Sequence, residues 1–425
     1  MNKFIKYVIT IIFLLVGTSN IKAQTFNNIV ENIGADPDGN KSEYSNYAPV
    51  KYQYNLNKCI GNDNFIIVGH HKEDKVLQTA ILKKDETGNF EVNLLSNIYD
   101  EKTNLVSGSH TYDVDENVII ASSQTTLHRN ADEGGNLQNL KPYIMERSKD
   151  GVWHFKQFLS VEGKKPPTKF GMSVAIEGNI AVVGAYLDNT DSIGQNKIRF
   201  SGSAYIFRKE NNDWKFYQKL TAKERGKDDY FGMTVDIENG TIIVGAPKND
   251  DDRGAVYVFN MNNKEKWEQT QKLIVSNVNS NDYSGYAKFV NGEIVIAASE
   301  RDKKKGGIYL FKKDRNGKWE EYQSIIPSDL DKNDAFGING SLLSASANDN
   351  YLVIGCPNQD NTKYNSGAVY VYKRNSQGSW MKIIKLTHKT PIYEQRYGAN
   401  VLISGDYLYI GHRDGLQIIK FQESN

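Results

Sequence analysis

The chain is built from short runs in which apolar and polar residues alternate, separated by pairs of Gly, Asn and Asp. Gly254 to Phe259, Gly307 to Phe311 and Gly367 to Tyr372 are the plainest. Each reads Gly, one or two apolar residues, Tyr, another apolar residue and an aromatic. Runs of this kind, rich in β-branched and aromatic residues, predict strands. No window keeps a 3.6-residue apolar period, so almost no helix is expected.

The runs recur in a fixed order. Ser203 to Phe207 belongs to the same set, Pro142 to Met145 and Leu77 to Leu82 are weaker copies, and Leu416 to Phe421 is the last. A short turn leads from each to a second kind of run headed by Trp. All five Trp (Trp153, Trp214, Trp267, Trp319 and Trp380) stand there, and Phe90 heads a degenerate sixth copy. A third kind is a β-branched run ending in a small residue, at Gly69, Ala121, Gly184, Gly245, Ala297, Gly355 and Gly411, spaced 52 to 63 residues apart. A fourth begins 13 residues before several of these, at Gly108, Gly171, Gly232 and Gly398.

Each unit therefore reads as four short strands in a meander. Gly178-Asn179, Asn239-Gly240, Asn291-Gly292, Asp349-Asn350 and Gly405-Asp406 stand where the first two strands turn. Such pairs supply the positive φ angles that tight hairpins need. Seven four-stranded units predict an all-β chain, a seven-bladed β-propeller of antiparallel blades. The expected blades are 44–98, 99–163, 164–224, 225–277, 278–328, 329–389 and 390–425. The last has no Trp-headed strand, so a strand over 25–33 is expected to pair with Leu416 to Phe421 and close the ring.

The start of the chain has another character. Lys3 and Lys6 precede the apolar run Tyr7 to Val16, and a polar stretch leads to Ile21-Lys22-Ala23. That order predicts a secretory signal peptide, 1–23, cleaved after Ala23. The run is too short for a membrane span, so a secreted or periplasmic, cell-envelope protein with no transmembrane segment is expected. Lys and Arg number 52 against 51 Asp and Glu. This balance gives no support for a nucleic-acid partner.

Phe170-Gly171 with Gly184-Ala185, and Phe231-Gly232 with Gly245-Ala246-Pro247, resemble the motif of FG-GAP repeats. Tyr397-Gly398 and Gly355-Cys356-Pro357 are near-matches. That family includes the seven-bladed propeller of integrin α chains and many exported bacterial proteins. The resemblance implies a fold, and adhesion or protein binding, more than a chemistry. Calcium-loop members carry a long acidic loop between the first two strands. Here the matching turns, such as Ile176 to Asn179 and Ile237 to Gly240, are short and poor in carboxylates, so no bound calcium is expected.

No nucleophile elbow, phosphate loop, dinucleotide fingerprint or zinc motif occurs, and no cofactor is expected. The seven His lack ligand spacing. Ser148 to Trp153 approaches a sialidase Asp-box, but with Trp two residues after the Gly, so a structural Trp is the better reading. Cys59 and Cys356 fall in units that are not neighbours, which predicts two buried free thiols and no disulfide.

A non-enzymatic binding module is therefore expected, a monomer recognising a protein or a glycan. The alternatives are a propeller hydrolase acting on glycans, marked by paired carboxylates in the central funnel, or a structural part of an envelope complex. Connections after strands two and four share one face, and the long ones lie there: Ser123 to Lys141, Tyr186 to Ser201 and Pro357 to Ser366. Binding residues favour such loops. The seam between units seven and one gathers His70, His71, Glu394, Arg396, His412 and Arg413 on that face. These form the candidate site for an anionic or polar ligand, with the arginines supplying charge and the histidines tuning it.

Overall fold

In the structure, a computed structural model, the described residues are 111–122, 140–161, 166–299, 306–413 apart from 332, 341 and 362, and 415–419. The strand backbones at 7–10, 27–30, 59–62, 65–71, 77–84, 90–95, 105–110, 123–125 and 420 complete them. Six four-stranded antiparallel blades follow one another along the chain, each a meander in sequence order. The fourth unit shows the plan: Thr234–Glu238, Thr241–Ala246, Ala255–Met261 and Trp267–Leu273, inner strand to outer. Among the described residues Asn249–Asp252 forms a tight left-handed turn rather than an α-helix, with φ of 55°, 56° and 62° at Asp250, Asp251 and Asp252.

The second strand of a unit is buried on both faces, as in Thr241–Ala246 and Tyr351–Cys356. This is why these runs are almost wholly apolar rather than alternating. Its glycine is demanded by the next blade. A Cβ on Gly184 would lie 2.2 Å from the Gly232 carbonyl oxygen, and one on Gly355 would lie 1.9 Å from that of Gly398. The expected turn chemistry is present: Asn239 and Gly240 have φ of 51° and 68°, Asn291 and Gly292 of 51° and 79°.

The seven complete blades expected are corrected to six. The last sheet has three strands, Asn400–Ser404, Tyr407–His412 and Gly415–Lys420. Its inner strand lies beside Cys59–Asn62 of the first blade, so the inner strands run round a ring. The strand expected over 25–33 occurs as Asn27–Val30, but its hydrogen-bonded partner is Tyr7–Thr10 rather than Gly415–Lys420. The small residue of unit two is also corrected, from Ala121 to Ser122. Ser122 pairs with Pro142 as Gly184 pairs with Ala204, and a one-residue slip would turn the strand over.

Neighbouring blades are stitched at both rims. The inner strand is an edge, and its N–H groups are taken by side chains of the preceding blade. Asp113 Oδ2 accepts from Ile176 N at 2.9 Å, Ser173 Oγ from Val235 N at 2.9 Å, and Asp236 Oδ2 from Phe289 N at 2.7 Å. Glu177 does the same for the next turn, accepting from Asn239 N and Gly240 N at 2.6 and 2.8 Å. At the outer rim, Trp214, Trp267, Trp319 and Trp380 are buried, as anchors of the outer strand should be.

Candidate functional site

The seam between units six and seven is built by two loops zipped together. Glu394 N donates to Tyr364 O at 2.8 Å, Arg396 N to Asn365 O at 2.9 Å and Tyr397 N to Ser366 O at 3.0 Å. Earlier units repeat the pattern: Tyr230 N donates to Phe200 O, and Tyr283 N to Asp252 O. The positions matching Arg396 share its left-handed backbone, with φ of 54° at Arg396, 58° at Tyr230 and 49° at Tyr283. The fold thus fixes the backbone here and leaves the side chain free to vary.

Of the six residues singled out from the sequence, four have described side chains. Glu394 and Arg396 are half-buried on the incoming loop, which is zipped to unit six, so they stand at the seam of units six and seven rather than at that of seven and one. Arg396 Nε is buried with no hydrogen-bond partner among the described residues. Arg413 is half-buried, and its N–H donates to Gln395 O at 2.8 Å, tying it to the same loop. His412 is buried, its ring 5.2 Å from that of His388 and 6.2 Å from that of Tyr397. Burial, with the nearby His388, pushes its pKa down to about 4. His412 is therefore neutral at neutral pH and adds no charge to the seam.

The side chains of His70 and His71 lie outside the described residues. His70 pairs with Gln78 as Ala185 pairs with Ser203, so it holds the register position that His412 and Cys356 hold in their units. Cys356 is free and buried, its Sγ 3.3 Å from Asp334 O, and its thiol pKa is pushed up by burial. The Cys59 side chain lies outside the described residues, as does most of the 123–141 loop.

Two residues that sequence reasoning passed over dominate the outside of the seam. Tyr364 and Tyr393 are stacked, with ring centroids 5.3 Å apart and planes at 29°. Two tyrosines 29 positions apart give no sequence signal until the loops carrying them are known to pair.

The loop of unit three is braced instead from below. Asp188 Oδ2 accepts from Ser203 Oγ at 2.7 Å and Tyr205 OH at 2.6 Å, and pairs with Lys219 Nζ at 2.8 Å. Lys219 Nζ also donates to Thr190 O at 2.9 Å. Burial alone would raise the Asp188 pKa, but these partners outweigh it and hold it down at about 2. Asp188 is thus an anchor rather than a recognition group.

The inner strands carry carboxylates that the sequence reading does not single out. Asp113 and Asp236 hold equivalent inner-strand positions and raise each other's charging cost, with Lys288 opposing. Both accept backbone N–H groups of the next blade. The near-Asp-box is self-contained: Ser148 Oγ binds Asp150 and donates to Val152 O at 2.8 Å within one hairpin.

Compared with known families, the chain matches the FG-GAP repeat at residues 165–207, 214–259 and 319–372, about a third of its length. No curated protein matches it.

Proposed function

We propose that this FG-GAP repeat β-propeller is an exported, non-catalytic module that binds a partner protein through its loop face. The observation that carries the reading is the asymmetry of the two faces. One face presents two-residue turns. The other presents loops zipped across blade boundaries into a rigid surface with half-buried Arg396 and Arg413. A rigid scaffold under variable side chains suits recognition, because little ordering remains for binding to impose. Against hydrolysis, the inner-strand carboxylates Asp113 and Asp236 already serve as backbone acceptors.

The same proposal includes a closed ring. Once residues 1–23 are removed, Asn27–Val30 loses Tyr7–Thr10 as its partner. It already lies alongside Gly415–Lys420, the open edge of the three-stranded sheet. It becomes that sheet's fourth strand and completes a seventh blade.

The test is a cross-linked pull-down from the exported fraction, with wild type beside an Arg396→Ala/Arg413→Ala variant. A partner retained by the wild type and lost by the folded variant supports the reading. A partner held equally by both moves the site off this face.

A further inference from the structure

The described surface exposes eleven large hydrophobic side chains, and most stand alone, as is ordinary. One place gathers three. Tyr364 is 52% exposed, Tyr393 57% and Ile392 46%, on the two loops zipped at the seam of units six and seven. The tyrosines stack on each other and still leave more than half of each side chain in water. Burial in the core does not explain them, and a contiguous apolar patch on an otherwise polar rim marks an interaction site. The backbone beneath is already fixed by the hydrogen bonds from Glu394, Arg396 and Tyr397, so little entropy remains to be lost there on docking.

The residue types select among occupants. Tyr and Arg are the side chains that most often carry binding energy between proteins, and an aliphatic Ile beside them suits an apolar side chain better than a sugar ring. The surrounding charge selects further. Lys363 and Lys389 are exposed on the same two loops, and Arg396 brings a guanidinium whose Nε has no partner among the described residues, against two carboxylates: half-buried Glu394, and Asp360, whose Oδ1 already accepts from Asn365 N. Cations around an apolar centre match a partner with the reverse plan.

We infer that Tyr364, Ile392 and Tyr393 form the hot spot of the loop face, and that its partner is a protein segment presenting an apolar or aromatic residue flanked by Asp or Glu. The inference rests on the binding-module reading above and deepens it. Arg396 pairs with one of the flanking carboxylates. Lys363 and Lys389 speed the encounter and make it salt-dependent.

The probe is a random-peptide display library, selected on wild-type protein and on a Tyr364→Ser/Tyr393→Ser variant. Both tyrosines are half-exposed, so the variant should keep its melting temperature, checked by circular dichroism. Wild type should enrich clones carrying an apolar or aromatic residue beside Asp or Glu. Those clones should bind the double variant at least tenfold more weakly, and the wild type more weakly as salt rises. Selected clones that bind both proteins equally, or that are basic, overturn this site while leaving a binding module in place. Failure to enrich any clone overturns this site, whereas the binding-module reading stands or falls by the pull-down above. Wild-type binding to acidic oligosaccharides on an array, lost in the variant, would reassign the patch to a glycan and overturn the protein partner. Should the double variant melt early, Lys363→Glu/Lys389→Glu replaces it. Its loss of acidic clones supports the patch, and retention overturns it.

Discussion

Gln218 grips the backbone of Trp267 in the next blade with both ends of its amide. Its Nε2 donates to Trp267 O at 2.8 Å, and its Oε1 accepts from Trp267 N at 3.0 Å. Gln157 does this for Trp214, Gln271 for Trp319 and Gln323 for Trp380. In each case the Gln stands four residues after its own Trp. The residue just before it drops out of the ladder as a bulge, Tyr217 in unit three and Thr270 in unit four. A bulge re-aims the following side chain, here along the rim towards the neighbour.

Breaking one clasp should therefore cost more than a surface polar residue usually does. Gln271→Ala leaves an N–H and a C=O without their partner, worth about 1–3 kcal/mol. Urea unfolding should show a lower midpoint with an unchanged slope. A matching change at exposed Gln377, which lies in a turn, should fall within about 0.5 kcal/mol of wild type.

This belt also shows what was legible in the sequence. The spacing of Trp, turn and small residue is local, and local spacing reveals strands, so the blade plan could be read directly. The Gln four residues after Trp was visible too, but its purpose lies in the next blade and has no local trace. Unit six carries Ile384 there, and the unit that follows it has no Trp-headed strand to clasp. The end of the second strand, read as the start of a loop, puts His412 on the loop face. Aligned on the glycine before it, it falls in the slot of Ala185, Ala246 and Cys356, all buried, and that signal was available. The tyrosine stack was not, since it depends on two loops meeting.

Asp188 should make stability acid-sensitive. Its folded pKa of about 2 lies below its ordinary value of 3.8, so the stabilisation is full above the ordinary value and is lost as pH falls through about 2. The size is on the order of 2 kcal/mol. Asp188→Asn should flatten the stability profile between pH 4 and 2. Asp188→Ala, which strands buried Lys219, should cost about 3–5 kcal/mol at neutral pH. Denaturant titrations across that pH range check both.

Asp236 should act in the opposite sense. Burial, and then the charge of Asp113, push its pKa above the ordinary carboxylate value. A raised acid favours the protonated folded state, so stability falls as pH rises from 3.8 towards the raised value. Asp113→Asn removes the second cause and should lower the titration midpoint of Asp236. Carbon-13 NMR of labelled aspartate reads this directly, and an unmoved midpoint would show that the two carboxylates are not coupled.

Ring closure is checked by truncation. A chain beginning at Tyr44 lacks Asn27–Val30 and leaves Gly415–Lys420 as an open edge of Leu416, Ile418 and Ile419, which are buried. Such edges recruit other chains. The truncated protein should melt earlier than one beginning at Gln24 and should aggregate on warming, seen by light scattering. Equal melting temperatures would refute the closure.

The loop of unit three gives the sharpest control for where binding resides. A deletion that included Asp188 would remove the buried partner of Lys219, Ser203 and Tyr205, and any loss of binding would then report unfolding. The tip is separable. Asp191 accepts from Ile193 N at 3.1 Å and Gln195 N at 2.7 Å, so 191–195 forms its own small turn above the anchor. Ile193 at its apex is 67% exposed. Replacing 192–195 with a Gly-Gly link should leave the melting temperature within a few degrees, because the buried network stays whole. If the ligand sits at the seam of units six and seven, this variant should bind as tightly as wild type while Tyr364→Ser/Tyr393→Ser does not. Calorimetric titration with a peptide selected on the wild type decides it. Loss of affinity in the loop variant alone would place recognition on unit three instead.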